Sequence, residues 1–171
     1  MNPPKPIRCI VLSTGHAYES DKRVEVFSAL HGRFTCRAKG ALRSLKRFGG
    51  RLEPTTVLDI YCWNRSALPL MLDCEVVHSF TSIRHSFNAI SVAMYAIQIC
   101  RLSTVEHQVN QPLFAGLYAL LTALDHGGAP QMVMSEFETL FLNLEGIQSK
   151  GPFATIFQDY TGRVLPPPVL I

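Results

Sequence analysis

Over the first eighty residues, hydrophobic and polar side chains alternate in short runs, which predicts β-strands. Turn-forming residues such as Gly15 and Gly32 separate the runs. The predicted strands cover residues 8–13, 23–28, 33–39, 56–63 and 68–76. Five short strands in this length favour a small Greek-key barrel of the OB type, although alternation alone does not exclude an SH3-like barrel.

The run at residues 33–39 predicts most clearly which side chains face inward. Phe34, Cys36 and Ala38 alternate with polar residues, so a strand here buries these three. The opposite face then carries the bases of the run, Arg33, Arg37 and Lys39. The next stretch, residues 40–50, has glycine at both ends and predicts a mobile loop outside the sheet. It holds three more bases, Arg43, Lys46 and Arg47.

The last two predicted strands differ in what their faces carry. In the run at residues 56–63, Tyr61 and Trp63 share one face, and a turn is predicted at residues 64–67. Alternation in the final run predicts five inward positions, Leu68, Leu70, Leu72, Cys74 and Val76. Aromatic residues that share a face of an OB-fold in this way can stack on bases, and the alternative is that Tyr61 and Trp63 are half-buried residues of the sheet.

Beyond residue 80 the hydrophobic period changes from two to 3.6, which predicts helices. One helix covers residues 88–101, a second follows Asn110 as N-cap and ends at Gly127, and a third covers residues 130–145. Residues 147–171 have no clear period and end in PPPVLI, which predicts an irregular, proline-rich strap or disordered tail. The expected fold is therefore α+β, with a barrel domain at residues 1–80 and an all-helical domain at residues 81–171.

Positive charge is concentrated in one part of the chain. Residues 22–51 hold nine Lys or Arg residues and one acid, a formal +8, whereas the whole chain of 171 residues carries only +3. Such local basicity suits a phosphate backbone, because each base that neutralises a phosphate releases condensed counterions. The predicted DNA-binding residues are Arg33, Arg37, Lys39, Arg43, Lys46, Arg47 and Arg51. The candidates for stacking on bases are Phe48, Tyr61 and Trp63.

Motifs for catalysis, metals or membranes do not emerge from the sequence. The five cysteines have no CxxC spacing, the six histidines form no HExxH, and there is no phosphate-binding GxxxxGK[ST] loop. We therefore expect neither a metal nor another cofactor, and no enzymatic activity. The apolar runs are too short for a membrane span or a signal peptide, which predicts a cytoplasmic protein without membrane contact.

An ordered series of short motifs resembles one known family. The series consists of Glu19-Ser20-Asp21, Val24, Phe27, Gly32, the tetrapeptide at residues 38–41, Phe48-Gly49-Gly50 and Leu52-Glu53-Pro54. In this order and with these gaps, it is similar to the N-terminal part of the bacterial RecO recombination mediators. The resemblance runs from about residue 9 to residue 80, and the helical layout remains similar to about residue 146.

The resemblance implies a DNA repair protein with an N-terminal OB-fold and a C-terminal helical domain. Proteins of this family bind single- and double-stranded DNA, anneal complementary strands, and act with RecR and the tail of the single-stranded-DNA-binding protein to load the recombinase at the nucleoid. Many members carry a four-cysteine zinc motif after the third helix, but residues 146–162 here contain no cysteine, so no metal is carried over. The alternatives are an OB-fold adaptor that binds RNA or an acidic protein partner.

Overall fold

The computed structural model describes residues 5–63 and 68–171, apart from the side chain of Leu45. The predicted turn at residues 64–67 lies outside the described residues. The chain divides into two compact units, of which the first consists of Met1–Ser79 and Val105–Val109 and the second of Phe80–Thr104 and Asn110–Ile171. The sequence places one boundary near residue 80, whereas in the structure the segment Val105–Val109 returns to the first unit.

The first unit is a closed five-stranded barrel. Its strands are β1 (Ile7–Tyr18), β2 (Asp21–Ser28), β3 (Gly32–Ala38), β4 (Val57–Trp63) and β5 (Leu70–His78). They follow the order β1-β2-β3-β5-β4, in which β4 pairs again with β1 and β3 pairs with β5 in parallel. This arrangement of five strands in a Greek-key barrel, followed by helices, confirms the predicted fold class.

β1 extends beyond the predicted end at residue 13 and continues to Tyr18. Its second half contains little hydrophobic sequence, but it stays paired with β2, with partners that include Gly15 and Arg23. The register shifts twice, between Val11 and Ser13 and again before Tyr18. Pairing with a neighbouring strand therefore extends β1 where its own sequence does not alternate.

The buried residues in and beside β5 differ from the predicted inward positions. Tyr61 of β4 pairs with Asp73 of β5, and the next residue of β4, Cys62, pairs with Met71 of β5. Leu72, which lies between Met71 and Asp73, is therefore the extra residue of a β-bulge. The bulge reverses the alternation on its N-terminal side, and Met71 is buried in place of the predicted leucines. Leu68, Leu70 and Leu72 are only partly buried, Cys74 is buried as predicted, and Val76 is 45% exposed.

The helices are α1 (Leu45–Phe48), α2 (Phe87–Ser103), α3 (Gln111–Asp125), α4 (Pro130–Leu144) and α5 (Phe153–Thr161), with a 3₁₀ helix at Thr81–His85. The short α1 lies in the connection from β3 to β4. Asn110 caps α3 as predicted, since its Oδ1 accepts a hydrogen bond from the Leu113 amide at 3.1 Å. Among the described residues, no helix has the length and apolar character to cross a membrane.

α5 contradicts the predicted irregular tail. Phe153, Ile156 and Phe157 have the i, i+3, i+4 spacing of a helix, and the last two are buried, with Phe157 and Phe153 contacting Phe141. The residues after Gly162 form an extended strap, which was one of the two alternatives predicted for the end of the chain. Its backbone is held on α2, where the Val169 amide donates to Ser91 Oγ at 2.9 Å and the Ile171 amide donates to the side chain of Asn88 at 3.0 Å.

Gly32 packs closely against the segment Val105–Val109, and a substitution at Gly32 tests this contact. Its φ is +69°, and an added Cβ would lie 2.3 Å from the Gln108 carbonyl oxygen. Gly50 has the same φ, but nothing lies within 4 Å of an added Cβ there. We predict that Gly50→Ala costs roughly 1–2 kcal/mol through left-handed strain alone, and that Gly32→Ala costs more because the Val105–Val109 segment must also move.

The difference in the free energy of unfolding is measured by urea unfolding with Trp63 fluorescence as the signal. Trp63 is the single tryptophan of the chain and lies in β4. Equal losses in the two variants would contradict the close packing of Gly32 against Gln108.

Candidate nucleic-acid interface

The connection between β3 and β4 carries most of the predicted DNA contacts and is packed onto the barrel through its apolar residues. Ala41, Phe48 and Leu52 belong to the same buried cluster as the inward residues of the strands. Each of the three is less than a tenth exposed. Because these side chains point inward, the charged residues between them are directed to solvent. The connection lies outside the sheet, as predicted, but its core contacts oppose the free movement that the sequence indicated.

The start of this connection is also held by the turn between β1 and β2. The Oδ1 atom of Asp21 accepts a hydrogen bond from the Gly40 amide at 2.8 Å, and the Leu42 amide donates to the Ser20 carbonyl at 3.0 Å. Asp21 itself is only 7% exposed. A mostly buried carboxylate that accepts a backbone hydrogen bond is a strong local anchor. The chain therefore leaves β3 in a defined direction.

Four bases project from this frame into solvent, Lys39, Arg43, Lys46 and Arg47. We call them the basic loop surface. Among the residues that the structure describes, none of the four forms an ion pair with a carboxylate. The Arg47 guanidinium lies 5.8 Å from the ring centroid of Phe48. Exposed cations without acidic partners keep their charge available for a phosphate backbone.

Arg37 and Arg51, also predicted to bind DNA, are partly engaged within the protein. Arg37 Nε lies 3.7 Å from an Asp21 carboxylate oxygen, and its side chain is a third exposed. Arg51 donates hydrogen bonds to the carbonyls of Cys74 and Arg47, at 3.1 Å and 3.2 Å. Arg51 thus holds the end of the connection against β5, and Arg37 borders the basic loop surface with part of its charge balanced.

Arg33, the remaining predicted DNA-binding base, is paired with acids of the barrel. Its Nη1 lies 2.7 Å from Glu25 Oε1 and 3.7 Å from Glu106, and the side chains of Arg33 and Glu25 are only 14% and 12% exposed. Ser13 donates a further hydrogen bond to Glu25 at 2.9 Å. These acids balance the charge of Arg33 within the barrel, which disfavours its predicted contact with DNA; the contact stays a prediction.

Two of the three stacking candidates are poorly placed. Phe48 is 2% exposed and fills the barrel core, so its ring cannot reach a base. Tyr61 lies among acids: it pairs across the strands with Asp73, and its hydroxyl donates to Glu75 at 3.4 Å. Burial and the negative charge of Glu75 raise the pKa of Tyr61. These acids repel phosphate and oppose stacking at Tyr61, whereas Trp63 is half-buried and its role stays a prediction.

Two residues beside Arg37 were missed by the sequence prediction. Tyr18 is 66% exposed, and the Arg37 guanidinium lies 5.6 Å from its ring centroid. Arg23 is exposed and pairs directly across the strands with Arg37. Arg23 was visible in the charge count, but Tyr18 lies beyond the predicted end of the first strand. Only the extension of β1 brings this tyrosine next to the bases.

A metal site is not part of this geometry. Within residues 5–63 and 68–171, no three His, Cys, Asp or Glu side chains are arranged to hold a metal ion. The chemistry available at the interface is therefore charge, hydrogen bonding and aromatic stacking.

Comparison with known proteins identifies the same family in both units. Residues 4–80 match the family model described as the N-terminal part of recombination protein O, and residues 84–149 match its C-terminal counterpart. The DNA repair protein RecO of Geobacter sulfurreducens is 34% identical over 143 residues, which are 82% of this chain and 59% of that protein. RecO of Myxococcus xanthus is 33% identical over 142 residues, 82% of this chain and 58% of that protein.

A third relative, the RecO of an Anaeromyxobacter species, is 35% identical over 143 residues, again 82% of this chain but 56% of the relative. The chain thus matches less than three fifths of the length of each of these curated relatives.

The assignment of Arg33 to the fold predicts that its loss affects stability. Arg33→Ala leaves Glu25 mostly buried without its cation, so we expect a loss of about 3 kcal/mol, at the lower end for broken buried pairs. Arg47→Ala removes an exposed charge and serves as the matched control, with an expected change within about 0.5 kcal/mol. Urea unfolding measures both, and an unchanged stability of Arg33→Ala would contradict the structural role.

Proposed function

The chain belongs to the RecO family of DNA repair proteins, and from this membership we propose that it binds single- and double-stranded DNA and acts as a mediator of homologous recombination. In this role it holds and aligns strands and makes or breaks no covalent bond. The proposal includes the promotion of strand annealing and of recombinase loading, as the family resemblance implies.

The basic loop surface carries the proposal. Its four exposed bases have no carboxylate partner among the described residues, and they stand on a frame held by Asp21 and by Phe48 in the core. Contacts of this kind fix the position of a nucleic acid through its phosphates, which are the same for every sequence. We therefore propose binding without sequence preference. Neutralised phosphates also repel a second strand less, which favours annealing.

The proposed protein partners are a RecR-type mediator and the acidic C-terminal tail of a single-stranded-DNA-binding protein. A cavity of about 300 Å³ lies between α3 and α4 of the helical unit, with Leu120, Phe137 and Leu140 among its lining residues. Its charged lining residue is Glu136. An acid at this position repels an acidic peptide, so we do not assign the tail to this cavity.

Removing two bases from the basic loop surface should weaken DNA binding. We expect Arg43→Gln/Arg47→Gln to lower the salt dependence of binding to a single-stranded oligonucleotide, by about 0.7 in the log–log slope for each lost phosphate contact. The matched control is Lys150→Gln/Arg163→Gln, which removes the same charge from two exposed residues of the helical unit. Fluorescence anisotropy across a salt series gives the slope for each protein.

Equal slopes for the two double variants would show that net charge alone matters and would contradict the proposed surface. The same titration with RNA of matched sequence separates the alternatives. A preference for RNA would favour the RNA-binding adaptor, since the 2′-hydroxyl is the group by which a protein distinguishes RNA from DNA. Absence of binding to either nucleic acid would favour the adaptor for an acidic protein.

We predict that Tyr18 contributes to the binding of single-stranded DNA but not to the binding of double-stranded DNA. Its ring is exposed beside Arg37 and can stack on an unpaired base, a contact worth roughly 1–3 kcal/mol. We expect Tyr18→Ala to weaken binding to single-stranded DNA by about five-fold or more and to leave duplex binding nearly unchanged, since duplex bases are already stacked. Tyr61→Ala, on the acidic face, is the matched control with no expected effect. Similar losses on duplex and single strands would exclude stacking.

A further inference from the structure

α2 is buried over most of its surface, but one stripe of its side chains is only partly buried. Val92, Ala93 and Ile97 are among the residues of this helix without exposed surface. The stripe consists of residues three or four apart along the helix, which share one face, Asn88, Ser91, Met94 and Gln98. Three of these four side chains carry hydrogen-bonding groups. The stripe is therefore a surface to which an extended main chain can bind.

The strap, residues 163–171, lies along this stripe. The Val169 amide donates to Ser91 Oγ at 2.9 Å, and the Ile171 amide donates to Asn88 Oδ1 at 3.0 Å. The Asn88 side chain also donates, through Nδ2, to the Ile171 main-chain oxygen at 2.9 Å. Residues that are two apart in the strap thus meet side chains that are three apart in the helix, and the strap runs antiparallel to α2.

On the strap, these three hydrogen bonds all use main-chain atoms. Every residue except proline has the same amide donor and carbonyl acceptor, so the contacts recognise an extended chain and not particular side chains. A second copy of this chain offers the same atoms at Val169 and Ile171. The stripe therefore binds its own strap and the strap of a second copy with the same hydrogen bonds.

The middle of the strap is packed loosely on α2. Its three prolines, at positions 166–168, line a cavity of about 240 Å³ together with Met94, Tyr95 and Gln98 of the helix. Proline has no amide proton to donate. The atoms that face the cavity lack packing partners on that side, which reduces the dispersion energy that holds the strap. Opening the strap from its own helix therefore breaks few contacts.

The strap has a buried anchor near its start and exposed apolar residues near its end. Leu165 is 3% exposed, whereas Val169 and Ile171 are 60% and 90% exposed. The three consecutive prolines between them favour a stiff, extended conformation. When the end of the strap leaves α2, Leu165 can stay in place while the prolines carry the last residues away from the helix. Exposed apolar side chains at the end of such an arm favour burial against a partner.

We propose that the strap is an exchangeable arm and that two copies of this chain form a dimer in which the strap of each binds the α2 stripe of the other. A chain whose strap has opened carries a free strap and an uncovered stripe, and these two surfaces fit those of a second open chain. The exchange restores all three hydrogen bonds in each copy, and contact between the copies covers Val169 and Ile171. Reciprocal exchange of one element produces a closed, symmetric dimer. This self-association does not depend on the proposed binding of DNA.

The first experiment removes the hydrogen-bond donors of the strap from the full chain. Val169→Pro/Ile171→Pro deletes both amide donors at exposed positions. Val169→Ile/Ile171→Val is the matched control, because it keeps both donors and the apolar side chains. Sedimentation velocity over a wide range of protein concentration gives the mass of each protein in solution.

With rising concentration, we expect the mass of the native chain and of the control to increase towards twice that of one chain. The proline variant should keep the mass of one chain. A native chain that stays single at every concentration would overturn the proposal, and so would a proline variant that dimerises as the native chain does.

Mixing two defective variants distinguishes strap exchange from any other dimer. Asn88→Ala/Ser91→Ala retains the strap but loses the polar groups that bind it, whereas the proline variant retains the stripe. Each should stay single alone, but the mixture should contain a dimer, because the strap of the first variant binds the stripe of the second. Gln131→Ala/Ser135→Ala, which changes two exposed polar residues of α4, is the matched control and should dimerise as the native chain does. A mixture without a dimer would contradict the exchange.

A measurement on the native chain does not depend on the folding of any variant. Isotopically labelled and unlabelled chains are mixed at a concentration where the dimer predominates, and isotope-filtered NMR detects contacts between the copies. We expect contacts between Val169 of one copy and Met94 of the other, since both residues line the cavity between the strap and the helix. Contacts between these two residues within one copy alone would exclude the exchange.

Discussion

The carboxylate of Asp21 joins two parts of the barrel that are distant in sequence, and the position of the basic loop surface depends on it. One oxygen accepts the Gly40 amide at 2.8 Å, and the other lies 3.7 Å from Arg37 Nε. The first contact fixes where the chain leaves β3, and the second keeps a neighbouring base beside the same point. Because Asp21 is almost completely buried, its hydrogen bond with Gly40 is screened little by salt, whereas its longer contact with the one-third-exposed Arg37 is screened more. A single acid thus organises bases whose charge it only partly balances.

The C-terminal end of the connection between β3 and β4 is held by two backbone hydrogen bonds to β1, at a cost in free energy. The Thr55 amide donates to the Val11 carbonyl at 3.0 Å, and the Val11 amide donates to the Thr56 carbonyl at 2.9 Å. Thr55 has a φ of +77°, and its buried hydroxyl has no hydrogen-bond partner in the described part of the chain. Strain and an unsatisfied buried hydroxyl each cost on the order of 1–3 kcal/mol. The two backbone hydrogen bonds with Val11 hold the connection in place despite this cost.

The sequence predicted the elements with a regular pattern and failed where contacts between elements decide the outcome. In β3 the strict alternation predicted the burial of Phe34, Cys36 and Ala38, and the structure confirms it. In β5 one bulged residue reversed the alternation, which depends on the pairing with β4 and not on β5 itself. The charge count treated every base as equally available to DNA, although Arg33 is neutralised by an acid on the neighbouring strand. Phe48 is surrounded by bases in sequence, but its ring is directed into the core.

The distribution of acids within the barrel limits where a polyanion can lie. β4 and β5 present Asp59, Asp73 and Glu75 on one face. Within the part of the chain that the structure describes, Asp59 alone of the three has a bidentate partner, Arg8 at 2.7 Å and 2.8 Å. On the proposed function, this face would repel a phosphate backbone and the basic loop surface would attract it, which favours one orientation of a bound strand. The net charge of +3 therefore includes a group of bases and a group of acids that lie on different parts of the barrel. In the proposed function, attraction at one surface and repulsion at another position DNA through its phosphates, without any reading of its bases.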